Sequence, residues 1–132
     1  MKRRVAITGL GLITPVGNNV SDSWASIVAG RSGIAIIDSF DTSEFASRIG
    51  GSIRNFDVTT VMSAKDARKN DPFIHYGIAA SVEAINNSGL EITDANRERI
   101  GLAIGSGIGG LPGIEKGHDA YLAGGPRKIS PF

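Results

Sequence analysis

The densest chemistry-bearing run in this chain is Gly105-Ser106-Gly107-Ile108-Gly109-Gly110, which satisfies the G-x-G-x-x-G spacing directly after an apolar stretch. Glycines at that spacing let a backbone turn tightly and approach a phosphate closely. The surroundings oppose a nucleotide site. Pro112 and Gly113 stand where the phosphate-binding helix has to start, and Gly124-Gly125-Pro126 stands where an acid should meet the ribose. Two readings of the glycines remain: a ligand-facing turn whose one bulky side chain is Ile108, or a tight loop lying against another backbone. Ser106 is no nucleophile of the G-x-S-x-G type, because Ile104 occupies the first glycine position.

A second constellation is basic. Lys65, Arg68 and Lys69 are spaced i, i+3, i+4, so a helix projects all three from one face while Asp66 points elsewhere. Such a trio either docks an anionic partner or is a solvated charged face, and spacing alone does not choose. Arg127-Lys128 forms a second basic spot with the same two readings. His75, expected within a helix, and His118, expected in a loop, lack metal-ligand spacing and read as structural or solvent-facing. The chain has no cysteine, which excludes disulfides, thiolate metal sites and a cysteine nucleophile supplied by these residues. No metal site and no cofactor motif is expected.

The elements that must position these groups follow from periodicity. Arg4 to Thr8 reads as a buried strand ended by Gly9-Leu10-Gly11. Ser21 is expected to cap a short helix in which Trp24, Ile27 and Val28 share a face, with Gly30 as its stop. Ile49 to Ile53 is a weaker strand candidate, interrupted by Gly50-Gly51. Ser63 or Ala64 begins the short basic helix. Asp71, with Pro72 in the first helical position, opens the longest helix, which ends at Ser88-Gly89 and carries a wide apolar face. Thr93 caps a polar turn running to Arg99, and Gly101 to Gly105 reads as a second buried strand. The region after Gly110 reads as loop-rich, with a short helix from Ile114 to Leu122.

Composition bounds the answer. With 132 residues, 41% apolar and 20% charged, the chain suits one ordinary globular domain. A net charge of +1 gives no global field toward nucleic acid or membrane, so an anionic partner has to be held by a local patch. Met1-Lys2-Arg3-Arg4 before an apolar run mimics a secretory leader, but Gly9, Gly11 and Pro15 break the run and no small-residue cleavage site follows. No stretch reaches the ~18 apolar residues of a membrane span. Ending on Pro131-Phe132 suggests a polypeptide that continues.

Taken together, the motifs carry a resemblance. Arg3-Arg4-Val5-Ala6-Ile7-Thr8-Gly9-Leu10-Gly11 followed by Thr14-Pro15-Val16-Gly17-Asn18 resembles the start of the β-ketoacyl-acyl-carrier-protein synthases. Ile104 to Gly110 and Gly124 to Phe132 are similar to the synthase II type of that family. The resemblance spans the whole chain, as one partial domain over 1–132.

The resemblance implies an α/β chain, the amino-terminal part of a thiolase-like layered αβαβα fold, incomplete by itself and therefore poorly stable alone. It implies an elongating acyltransferase of fatty-acid biosynthesis, a homodimer when complete, in the cytoplasm or an organellar matrix. Such an enzyme condenses an acyl thioester with malonyl carrier protein by a decarboxylative Claisen reaction, through a cysteine and two histidines. None of these catalytic residues has a counterpart here, so these residues alone are expected to be inactive. The substrates travel on the phosphopantetheine of acyl carrier protein, and no other cofactor is implied. Also implied is carrier docking by Lys65, Arg68, Lys69, Arg127, Lys128, Ile129, Ser130 and Pro131, and an acyl-pocket wall at Gly107 and Ile108. Neither nucleic acid nor membrane is an expected partner. The competing readings are a non-catalytic chain-length-factor-like subunit, a ketosynthase of a polyketide pathway, and a small nucleotide-binding domain.

Overall fold

Asn19 opens the first helix, α1 (Val20–Val28), two residues ahead of the expected Ser21 cap. Its backbone is extended, its side-chain oxygen accepts the Asp22 N–H at 2.8 Å, and its amide donates to the Asp22 carboxylate at 2.7 Å. Asparagine satisfies the orphan donors of a helix start as well as serine does, so Ser21 is left inside the first turn. Gly30, at φ +66°, ends the helix in the left-handed conformation. The structure, a computed structural model, describes residues 2–130.

The remaining elements, in order, are β1 (Ala35–Ile36), β2 (Ile49–Gly50), α2 (Ala64–Ala67), α3 (Pro72–Ser88) and α4 (Leu111–Gly124). Short 3-10 turns lie at Val58–Thr60, Arg97–Arg99 and Pro126–Lys128. Two compact units are resolved. One holds the residues up to Asp57 together with Ala79–Leu90, and the other holds Val58–Ile78 and the residues from Glu91 on.

The first unit is organised by a close approach of backbone to helix. Gly9 and Gly11 face the second half of α3, where a Cβ on Gly9 would lie 2.7 Å from the Ser88 nitrogen. One on Gly11 would lie 2.8 Å from the Ala80 carbonyl carbon and 2.9 Å from the Ala84 nitrogen. Only glycine fits, and period-two geometry puts both on the same side. Two polar side chains of α3 then hold this segment. Leu10 donates its N–H to Asn87 Oδ1 at 3.1 Å, and Leu12 donates to Glu83 Oε2 at 2.9 Å. The other oxygen of Glu83 accepts the Val20 N–H at 2.8 Å, so one carboxylate ties the segment and the start of α1 to the same helix.

The same unit docks α1 by its small polar face. Thr14 and Gly17 exchange N–H donors for carbonyls at 2.9 and 3.2 Å, closing a tight turn. Ser23, fully buried, donates to the Gly17 carbonyl at 3.0 Å and lies 2.9 Å from the Thr14 hydroxyl. Trp24, Ile27 and Val28 share the opposite, exposed face. β1 and β2 pair antiparallel with Ala35 opposite Gly50 and Ile36 opposite Ile49, so the Ile49 to Ile53 candidate survives as two residues.

In the second unit α4 starts at Leu111, three residues ahead of the expected Ile114, and ends at Gly124. Pro112 is tolerated in the first turn, where its missing N–H has no intrahelical partner to lose. The expectation that Pro112 and Gly113 preclude a helix start is therefore corrected, as are the loop-rich reading after Gly110 and the loop placement of His118, which lies on α4. The polar turn after Thr93 is present, but Thr93 does not cap it with its side chain: Asn96 Oδ1 accepts the Thr93 N–H at 2.7 Å, and the Thr93 carbonyl accepts from Asn96 and Arg97.

The largest correction concerns strands. Neither 4–8 nor 101–105 is paired in a ladder among the described residues, and Val5, Ile7 and Leu102 are 89%, 83% and 75% exposed. α3 is covered on fewer sides than its apolar face suggests, and Ala79 is the one buried hydrophobic residue among the described residues. A buried strand needs neighbours on both edges and layers on both faces, and these come from non-local segments. Each unburied Val, Ile or Leu forgoes about 1.5–3 kcal/mol of hydrophobic stabilisation.

Two outcomes are expected. In the full-length protein Gly11→Ala destabilises by about 1–3 kcal/mol, because the colliding atoms are α3 backbone, and a denaturant melt measures it. The isolated 132-residue chain melts broadly, without a cooperative transition in circular dichroism or calorimetry.

Candidate functional site

The site is built in the second unit from α2, the first half of α3, the glycine loop and α4. Ser63 caps α2: its hydroxyl accepts the Asp66 N–H at 3.1 Å and donates to the Asp66 carboxylate at 2.7 Å. The helix is one turn long. Arg68 is its C-cap and Lys69 follows in a turn, so the expected continuous helical face of three cations is cut short. Asp66 also does not point wholly away, since its carboxylate lies 3.8 Å from Lys69 Nζ, with both groups about half exposed. An exposed pair at that distance contributes little.

Two contacts fix this turn. His75 Nε2, on α3, lies 3.0 Å from the Ala67 carbonyl, and Asn70 donates its amide to the Asp66 carbonyl at 2.8 Å. His75 is thus half-buried and structural, tying the end of α2 to the start of α3.

Asp71 sits over the first turn of α4, with Oδ2 only 2.7 Å from where a Gly113 Cβ would be. The helix has no acid of its own in that turn and no side-chain cap on Gly110, so the Asp71 carboxylate supplies the favourable charge at its positive end. Gly110 itself, at φ +75°, makes the left-handed turn from which α4 starts.

The glycine loop has both of the characters that its sequence allows. Gly109 packs tightly, because a Cβ there would lie 2.7 Å from the Phe73 ring, whereas Cβ atoms on Gly105 and Gly107 would meet nothing within 4 Å. Ile108 is 79% exposed and lines a shallow cavity of about 230 Å³ with Asp71, Pro72, Phe73 and Leu111. On its other side Ser106 and Ile104 line an apolar groove of about 380 Å³ with Phe73, Ile74 and Ile78. Gly107 is exposed and lines neither.

The basic residues divide. Arg68, Lys69, Lys128, Ile129 and Ser130 line one cavity of about 350 Å³, together with Gly113, Lys116, Gly117 and Ala120 of α4. Lys65 and Arg127 are exposed outside that lining, and Pro131 lies outside the described residues. Lys116 belongs to no motif in the sequence. Only a helix beginning at Leu111 puts it on one face with Gly113, Gly117 and Ala120, at i, i+3, i+4 and i+7.

Residues 2–132 match the family described as β-ketoacyl synthase, N-terminal domain. The chain belongs to the β-ketoacyl synthase family. It is 56% identical over 131 residues to the 3-oxoacyl-[acyl-carrier-protein] synthase 2 of Vibrio harveyi, covering 99% of this chain and 32% of that protein. The protein of the same name from Coxiella burnetii is 51% identical over the same span, again 32% of its length. The chain therefore spans about a third of the curated relatives it matches.

Among solved structures, the ishigamide ketosynthase/chain length factor superposes with a TM-score of 0.79 at 26% identity, over 99% of this chain and 33% of that one. A type II polyketide acyl-carrier protein in complex with its ketosynthase, bound to the hexaketide, gives 0.76 at 27% identity, over 99% and 35%. The α/β, thiolase-like ketosynthase fold is thereby shown for this part of the family, and the small nucleotide-binding reading falls away. Among the described residues no helix is long and apolar enough to cross a membrane.

His75→Ala removes the tie to the Ala67 carbonyl and is expected to cost about 0.5–1.5 kcal/mol in the full-length protein. Faster amide exchange at residues 66–70 than in the parent is the accompanying signature, with His75→Gln restoring protection.

Proposed function

We propose that the whole protein is an elongating β-ketoacyl-acyl-carrier-protein synthase of fatty-acid biosynthesis. The observation that carries this reading is the 56% identity, over 99% of the chain, to proteins named 3-oxoacyl-[acyl-carrier-protein] synthase 2. The polyketide ketosynthase structures share the fold but only 26–27% of the sequence, which favours the fatty-acid enzyme over a chain-length factor.

In this reaction an acyl group passes from its carrier's thiol to a cysteine of the enzyme, forming a thioester. Malonyl carrier protein loses CO2, and the carbanion left behind attacks the thioester carbonyl. The cysteine thiolate leaves, and the product is a 3-oxoacyl carrier two carbons longer. These residues contain no cysteine, so the nucleophile belongs to another part of the protein. The part in hand contributes recognition. Gly107 and Ile108 form a wall of the acyl pocket, and the cations at Lys65, Arg68, Lys69, Arg127 and Lys128 receive the carrier, with Ile129, Ser130 and Pro131 beside them. A ketosynthase held in complex with an acyl-carrier protein, superposing at 0.76, supports that partnership. The complete enzyme is a homodimer of the cytoplasm or an organellar matrix, and it needs no cofactor beyond the carrier's phosphopantetheine.

The direct test is condensation by the full-length protein of an acyl carrier protein thioester with malonyl carrier protein. Release of CO2 with formation of a 3-oxoacyl thioester supports the reading, and absence of both overturns it. For docking, Lys65→Glu with Lys69→Glu is expected to raise KM for carrier-borne substrate roughly ten-fold at low salt, with kcat less affected. The difference should shrink as ionic strength rises.

A further inference from the structure

We propose that Lys116 is the fourth cation of an anion-binding cleft, shared with Arg68, Lys69 and Lys128, that takes an acidic side chain of the carrier protein. This rests on the docking reading above and adds to it a pocket and a residue that no family motif here supplies.

The cleft has a volume of about 350 Å³, and its cations come from three separate elements: the turn closing α2, the middle of α4, and the 3-10 turn Pro126–Lys128. No carboxylate lines it. Glu115 and Asp119 flank Lys116 in sequence but stay outside the lining. Among the described residues the ion pairs are Lys69–Asp66 and Arg97–Asp94, so Arg68, Lys116 and Lys128 have no carboxylate within 4.0 Å. Cations converging on one concavity repel one another and concentrate a positive potential there, which an entering carboxylate relieves.

The floor of the cleft is made for access. Gly113 and Gly117 lie one turn apart on the α4 face that lines it; a Cβ on Gly117 would meet nothing within 4 Å, whereas the space beside Gly113 is taken by the Asp71 carboxylate, 2.7 Å from a Cβ there. The absent side chain of Gly117 leaves room for a group to enter beside Lys116. A concave cleft on a chain of net charge +1 fits a protruding acidic side chain of a protein, not a flat anionic surface, which needs a broad basic face.

The test measures affinity of the full-length protein for holo acyl carrier protein at low and high salt, for the parent, Lys116→Glu, Lys116→Gln, Gly117→Leu and Lys65→Glu. Lys116→Glu is expected to weaken binding roughly ten-fold at low salt and Lys116→Gln roughly three-fold, with both effects shrinking at high salt. Gly117→Leu fills the cleft yet improves helix propensity, so binding falls while the melting temperature holds or rises, which a merely structural role would not produce. Parent-like affinity of Lys116→Glu at low salt overturns the inference. If Lys65→Glu then weakens binding, carrier docking stands and only the cleft is lost. If neither variant changes affinity, the docking reading falls with it. Weakening by Lys116→Glu alone supports the cleft and removes Lys65 from the interface.

Discussion

The first unit depends on how closely the backbone of Gly9 to Leu12 lies on α3. Gly9 and Gly11 leave no space for a side chain against the backbone of Ala80, Ala84 and Ser88. At that distance side chains of α3 reach the segment's N–H groups. Asn87 takes one and Glu83 takes another. Because the second oxygen of Glu83 takes the Val20 N–H, the direction of α1 follows from the same contact. The small residues and the carboxylate are one device: the glycines and alanines permit the approach, and the polar side chains hydrogen-bond the backbone groups it brings near.

The second unit shows the same economy around its charges. A one-turn helix is too short to persist by propensity, and α2 is held from both ends by Ser63 and His75. α4 lacks an acid in its first turn and uses Asp71, the residue just before α3, instead. Arg68, Lys69, Lys116 and Lys128 line one cleft together with Gly113 and Gly117. Positive charge is gathered locally on a chain whose net charge is close to zero, which suits selective recognition of one acidic partner better than general attraction to polyanions.

How legible each element was depended on where its information resides. α3 with Pro72 at its start, the start of α2 at Ser63 or Ala64, the Gly30 stop and a polar turn after Thr93 all rest on local chemistry, and the sequence shows each, though not that Ser63 is the cap or that Asn96 holds the turn. Asn19 in place of Ser21 is a small miss between residues that cap equally well. The start of α4 was hidden because Pro112 and Gly113 read as breakers, although proline is harmless in a first turn. Lys116 lay inside the expected Ile114 to Leu122 helix, but only folding brings that helix beside Arg68, Lys69 and Lys128. The segments 4–8 and 101–105 read as buried strands from their apolar residues, but pairing requires partners that local sequence does not contain.

By itself the sequence determined the family, through short motifs kept in order along the chain, and it determined the absence of a cysteine nucleophile among these residues. It also placed most of the cations. Tertiary structure alone decided which of them share a cavity, separating Arg68, Lys69 and Lys128 from Lys65 and Arg127 and adding Lys116. It decided too that Gly9 and Gly11 serve contact with a helix about seventy residues away in the chain. The physical reason is the same in both cases. Residue type and spacing report the neighbours within a turn or a strand, whereas charge clustering and backbone approach depend on distances between elements that the chain brings together only by folding.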